Sequence, residues 1–227
     1  MKPVLNIEQL CFAWPDQPPL IDIPSLQLHT GEHLFIQGDS GSGKSTLLNL
    51  IIGMLPGFSG QVEIAGQTLH TLSRRQTDRL RADQMGILFQ QFNLLPYLNL
   101  VENVCLPCRF SSARRAAACQ RSQSPQQEAI RLLERLRLDV GKLQKRPVAE
   151  LSIGQQQRVA AARALIGSPA LIIADEPTSA LDPGHRDLFI DLLLEEAEFC
   201  GSTLLMVSHD PALTTHFNRQ LKLGGHS

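Results

Sequence analysis

The chain has 227 residues, 43% of them hydrophobic, and sets 21 Lys plus Arg against 22 Asp plus Glu. That length holds one large domain with a substantial core, and the balanced charge excludes a global pull toward nucleic acid or anionic membrane. Five scattered cysteines argue for reduced thiols rather than a disulfide framework.

The opening residues 1–6 lack the apolar stretch of a signal peptide. No window approaches the roughly 18 apolar residues that a spanning helix needs, so the chain is expected not to cross a membrane by itself. Apolar runs bounded by turn residues predict strands over 4–12, 33–37, 61–64, 85–89, 171–174 and 203–207. Helical patterns predict helices over 45–54, 126–138, 155–166 and 183–200. The runs Leu171-Ile172-Ile173-Ala174 and Leu204-Leu205-Met206-Val207 are apolar throughout, as in parallel strands covered on both faces. Strands alternating with helices predict an α/β fold. Residues 92–167 show helical patterns only and read as a helical subdomain inserted into an α/β core of 1–91 and 168–227. Within it, 109–127 is rich in Ser, Ala, Arg and Gln, and reads as an exposed stretch. Its Arg114, Arg115 and Arg121 are then free to meet solvent, lipid headgroups or a partner. Cys105-Leu106-Pro107-Cys108 has C-x-x-C spacing without the second pair of a zinc site, and reads as ordinary thiols.

Gly38-Asp39-Ser40-Gly41-Ser42-Gly43-Lys44-Ser45 fits G-x-x-x-x-G-K-[ST], with a predicted strand before it and a helix after it. Glycines let backbone N–H groups converge on a triphosphate, and the helix N-terminus adds orphan donors and a favourable dipole. Lys44 is expected to reach the β- and γ-phosphates, Ser45 to hold Mg²⁺, and Thr46 to contact an inner phosphate. A dinucleotide fingerprint has different glycine spacing and no Lys-Ser. Asp175-Glu176 ends a predicted strand, where open α/β sheets carry their chemistry. Asp175 suits Mg²⁺ and Glu176 suits the general base for an attacking water.

Leu151-Ser152-Ile153-Gly154-Gln155-Gln156-Gln157-Arg158 resembles the signature motif of ATP-binding-cassette (ABC) ATPases. Gln90, in Gly86-Ile87-Leu88-Phe89-Gln90, resembles that family's Q-loop glutamine, which also approaches the metal. Ser179-Ala180-Leu181-Asp182 resembles its D-loop, His209 its switch histidine, and Trp14 the aromatic under adenine. The resemblance implies a P-loop NTPase (RecA-like) core with an inserted α-helical subdomain and an N-terminal antiparallel β portion. It further implies ATP and Mg²⁺ as ligands, and two subunits packed head to tail as homodimer or heterodimer. In that arrangement Ser152, Gly154 and Gln155 contact the nucleotide held by the partner's phosphate loop, and hydrolysis opens the dimer. An integral-membrane permease subunit is the implied partner, and no nucleic acid is expected. The implied location is cytoplasmic, peripheral on the inner face of the cytoplasmic membrane.

The segment 91–104 is similar to that of the lipoprotein-release and macrolide-export class, where this region lines the groove for a helix of the membrane partner. Export or mechanical work is the function implied. A soluble ABC ATPase of DNA repair, cluster assembly or translation is the alternative, and a regulatory subunit with little turnover is a third. Two departures stand out. Ile153 replaces the first glycine of the signature pair, where a β-branched residue restricts the backbone, and Trp14 replaces the commoner tyrosine. The chain stops soon after Leu221-Lys222-Leu223-Gly224-Gly225, so no C-terminal regulatory domain is expected.

Overall fold

The computed structural model describes residues 2–179 and 181–224; Met1, Ala180 of the D-loop-like segment, and residues 225–227 lie outside them. β1 (Leu5–Ala13), β2 (Pro19–Leu28) and β3 (His33–Gln37) lead into α1 (Lys44–Ile51). β4 (Ser59–Ile64), β5 (Gln67–Thr68), α2 (Arg74–Gln84) and β6 (Met85–Leu88) follow. The helices α3 (Leu100–Phe110), α4 (Ser112–Arg121), α5 (Pro125–Arg135), α6 (Val140–Leu143) and α7 (Ile153–Leu165) come next. β7 (Leu171–Asp175), α8 (Pro183–Cys200), β8 (Thr203–Ser208) and β9 (Arg219–Lys222) complete the order. The expected strands and helices are present, with ends shifted by a few residues. β2, β5, β9, α2, α3, α4 and α6 were not legible in the sequence pattern.

Two sheets form. β2-β1-β4-β5 is antiparallel, and β6-β7-β8-β3-β9 is parallel throughout. Side chains of the central parallel strands alternate between two cores. Ile36, Ile173, Leu205 and Val207 join the core under the antiparallel sheet and α1. Phe35, Ile172, Ala174, Leu204 and Met206 join the core shared with the helices. Burial on both faces explains why β7 and β8 read as unbroken apolar runs.

Residues 109–127 are exposed along most of their length, as expected, but they are helical and anchored by buried Ser111, Arg114 and Ala118. They carry the end of α3, all of α4 and the start of α5. Arg114 is 3% exposed. Its Nε donates to the Ile166 carbonyl at 2.7 Å, Nη1 to Met85 at 3.0 Å, and Nη2 to Ala164 at 2.7 Å. One guanidinium thus satisfies the last carbonyls of α7 and the first of β6, which a helix end would otherwise leave orphaned. Burial lowers its pKa to about 10, so it remains charged at neutral pH. Arg121 donates to Ser168 Oγ at 3.0 Å and lies over the Phe199 ring at 4.9 Å. Arg115 and Arg121 are exposed, and Arg114 alone of the three is buried. The composition hid α4 because a buried arginine satisfied by carbonyls replaces the apolar stripe of an ordinary packed helix. Arg114→Met is expected to lower stability by about 3 kcal/mol, because the freed carbonyls stay buried without donors. Urea unfolding of the full chain checks this.

Candidate active site

The C-terminal ends of β6, β7, β8 and β3 lie side by side in the parallel sheet. Each carries sequence-predicted residues just beyond it: Gln90 after β6, Asp175 and Glu176 at the end of β7, His209 after β8, and Gly38–Ser45 after β3. Adjacent parallel strands all finish on one edge, so residues far apart in sequence meet there. A cavity of about 450 Å³ is lined by Trp14, Ser40, Lys44, Thr46, Glu176 and His209, together with Gly41, Gly43, Ser45, Gln90 and Leu20.

The loop 38–43 folds around its own lysine. Gly43 precedes α1 at φ 92, in the left-handed region that favours glycine. Lys44 is 8% exposed. Its Nζ donates to the carbonyls of Gly38 at 2.7 Å and Asp39 at 2.9 Å, and lies 3.7 Å from Glu176 Oε1. The Ser42 N–H donates to the Asp39 carbonyl at 3.1 Å, and Ser42 Oγ is buried. Trp14 is 41% exposed and packs edge-on against Phe12, with ring centroids 5.1 Å apart. A flat aromatic face beside a phosphate loop fits a purine base.

Ser45 Oγ donates to Asp175 Oδ2 at 3.0 Å. Asp175 Oδ1 is buried and has no hydrogen-bond partner among the described residues. Burial is the first cause raising the Asp175 pKa, with the Ser45 bond lowering it. A buried, unpartnered carboxylate oxygen beside a hydroxyl fits a hard divalent cation, which takes oxygen ligands.

Glu176 stands at φ 46, an uncommon backbone for a residue with a side chain. Its Oε1 accepts from the His209 N–H at 3.0 Å and from His209 Nδ1 at 2.9 Å. Its Oε2 accepts from Ser208 Oγ at 2.9 Å. An ionised carboxylate only accepts, so Nδ1 carries the imidazole proton. Ser208 is a site residue that sequence reasoning passed over. Its only signal was its place between a buried strand and His209. Leu20 was missed with β2.

Ser152, Gly154, Gln155 and Asp182 do not line this cavity. Ser152 caps α7: its Oγ accepts from the Gln155 N–H at 3.3 Å, and its own N–H donates to Gln155 Oε1 at 3.0 Å. Ile153 takes the first helical position with its side chain 59% exposed. No turn of α7 itself precedes it, so its branched Cβ escapes the crowding of a helix interior, and the capping box is intact. A Cβ built on Gly154 would lie 3.7 Å from Leu181 Cδ2, so the start of α7 sits beside the segment that leads to Asp182. Asp182 caps α8, accepting from the His185 N–H at 3.2 Å. Cys105 and Cys108 are buried in α3, and burial pushes the Cys105 thiol up to about 11 and the Cys108 thiol upward as well.

A family model described as ABC transporter matches residues 21–179. The chain belongs to the ABC transporter family. It is 38% identical over 225 residues to the lipoprotein-releasing system ATP-binding protein LolD of Pseudomonas fluorescens, covering 98% of this chain and 95% of that one. The ABC transporter ATP-binding protein YbbA of Escherichia coli K12 is 42% identical over 198 residues, covering 87% and 83%. Among solved structures, the dimeric post-hydrolysis ATP-binding cassette MJ0796, bound to ADP and Pi, superposes with a TM-score of 0.80 at 32% identity, covering 96% and 94%. The ABC chain is therefore an ATP-binding, ATP-hydrolysing subunit of a membrane transporter. Among its described residues, no helix is long and apolar enough to cross a membrane.

Proposed function

We propose that two copies of this chain, or one copy and a close relative, close head to tail over ATP and Mg²⁺ and drive an integral-membrane permease subunit at the inner face of the cytoplasmic membrane. The observation that carries this reading is the division of the site. Lys44, Ser45, Asp175 and Glu176 gather at one strand edge, while Ser152, Gly154 and Gln155 begin a helix outside that cavity. The exposed N-terminus of α7 suits a phosphate. Ser152 Oγ already accepts from Gln155, so its hydroxyl proton is free to donate. The dimeric MJ0796 cassette supports the pairing.

In this mechanism Trp14 stacks on the adenine, and the N–H groups of 38–46 hold the phosphates. Lys44 exchanges the Gly38 and Asp39 carbonyls for the β- and γ-phosphates. Ser45, Asp175 and Gln90 hold Mg²⁺, which neutralises phosphate charge when bound. Glu176 takes a proton from the water that attacks the γ-phosphorus, and His209 fixes the carboxylate through Oε1. Once the γ-phosphate leaves, nothing bridges Lys44 to the partner's Ser152 and Asp182, and the pair opens.

A groove of about 810 Å³ lies between α2 and α3, beside the strand that leads to Gln90. Met54, Phe89, Pro107 and Phe110 give it apolar walls, and Arg75 and Arg79 a basic rim. Met54 is 53% and Phe110 71% exposed. These features support docking of a membrane-subunit helix with apolar and acidic residues. The expected groove segment 91–104 does not line it. Leu100, Asn103 and Val104 are buried in α3, where the Asn103 amide ties down the Leu95 and Leu98 carbonyls. Relatives named lipoprotein-releasing support a releasing or exporting system. The chain expressed in its native cells is expected to sediment with membranes, and Phe110→Asp to shift it to the supernatant with ATP affinity unchanged. A wild-type chain that stays in the supernatant would count against the permease partner.

A further inference from the structure

Ser208 ends β8 and is 1% exposed. Its hydroxyl is directed from both sides. It donates to Glu176 Oε2 at 2.9 Å and accepts from the Asp210 N–H at 3.2 Å. Asp210 is itself fixed by the Arg186 guanidinium on the first turn of α8. A carboxylate oxygen offers about two lone-pair sites. Both sites of Oε1 are taken by the His209 N–H and Nδ1–H. Among the described residues Oε2 receives Ser208 alone and keeps one site open. Oε2 is therefore the oxygen that can accept a proton from water, and the Ser208 hydroxyl is the group that touches it.

We infer that Ser208 is a positioning residue for the Glu176 base, holding Oε2 so that its open lone pair faces the cavity shared with Lys44. The backbone adds to the need. Glu176 sits at φ 46, held at the β8 end by its own N–H to the Val207 carbonyl at 3.0 Å. A residue in that region keeps its place only where its surroundings over-determine it. Without Ser208, the carboxylate is anchored at one oxygen and is free to swing about it. The inference rests on Glu176 acting as the base.

The test uses the purified full chain with Ser208→Ala, Ser208→Thr, Glu176→Gln and the Ala–Gln double variant. Turnover at saturating ATP is expected to fall about tenfold in Ser208→Ala, with KM for ATP unchanged within about twofold. Ser208→Thr keeps the hydroxyl and is expected to return turnover to within about threefold of wild type. In the Glu176→Gln background, Ser208→Ala is expected to cause no further loss, because the group it positions is already gone. Without nucleotide, NMR-detected exchange of the His209 amide is expected to speed up in Ser208→Ala, as its carboxylate acceptor loosens. Wild-type turnover in Ser208→Ala overturns the inference. So do equal losses in the Ala and Thr variants, a further loss in the double variant, or unchanged His209 exchange. If Glu176→Gln keeps its turnover, the assignment of the base itself has failed, a result distinct from the failure of Ser208 alone.

Discussion

Glu176→Gln is expected to slow ATP turnover by about a thousandfold while leaving nucleotide binding intact. The amide keeps the size of the side chain, an oxygen for the His209 donors and an NH2 that can donate to the Ser208 oxygen. It has no basic oxygen to take the proton from an attacking water. Lys44, Ser45 and the 38–43 loop are untouched, so ATP still binds. Closure then proceeds and cleavage does not, and an ATP-bound dimer is expected to accumulate. Steady-state phosphate release and light scattering after size exclusion read the two halves of this expectation. Equal rates in variant and wild type would remove Glu176 from the reaction.

Lys44→Ala is expected to weaken ATP binding by at least about a hundredfold, because a desolvated ammonium on phosphate is a strong, charge-assisted contact. Without nucleotide, Lys44 Nζ satisfies the carbonyls of Gly38 and Asp39 and faces Glu176 at 3.7 Å. It therefore holds the loop in shape before ATP arrives and would hold the phosphates afterwards. The chain has a single tryptophan, and it is Trp14 on the same cavity. Its fluorescence is expected to change when nucleotide binds. A titration in which Lys44→Ala and wild type show the same affinity would contradict the cradle assigned to residues 38–46.

Much of the parallel sheet was legible because its strands are buried on both faces, which leaves uninterrupted apolar runs such as 171–174. The phosphate loop was legible because glycine, lysine and serine spacing is itself the geometry. The elements that escaped did so for identifiable reasons. β2 is an edge strand and carries Pro19 and Pro24, tolerated where one side needs no ladder partner. α2 buries only Thr77 and Leu80 and has no apolar stripe to detect; its Ser73–Gln76 capping box holds its start. β9 has only four residues at the other sheet's edge, alternately half-buried and exposed, and Leu221 is the one apolar residue among them. α4 buries a charged side chain, Arg114, at a place where pattern reading looks for leucine. Of the site, the residues on the strand ends could be placed from sequence order. The Ser208 bond to Glu176 could not, since it depends on the register of β7 against β8, with Asp175 opposite Val207.

The most direct measurement is a disulfide between subunits. One preparation carries Ser42→Cys and the other Ser152→Cys, both with Glu176→Gln and with the exposed Cys119 changed to Ser. Mixed with ATP and Mg²⁺ under mild oxidation, they are expected to give a crosslinked dimer, absent with ADP and absent from either preparation alone. If no bond joins Ser42→Cys to Ser152→Cys under any nucleotide condition, the two halves of the site do not meet across a shared seam.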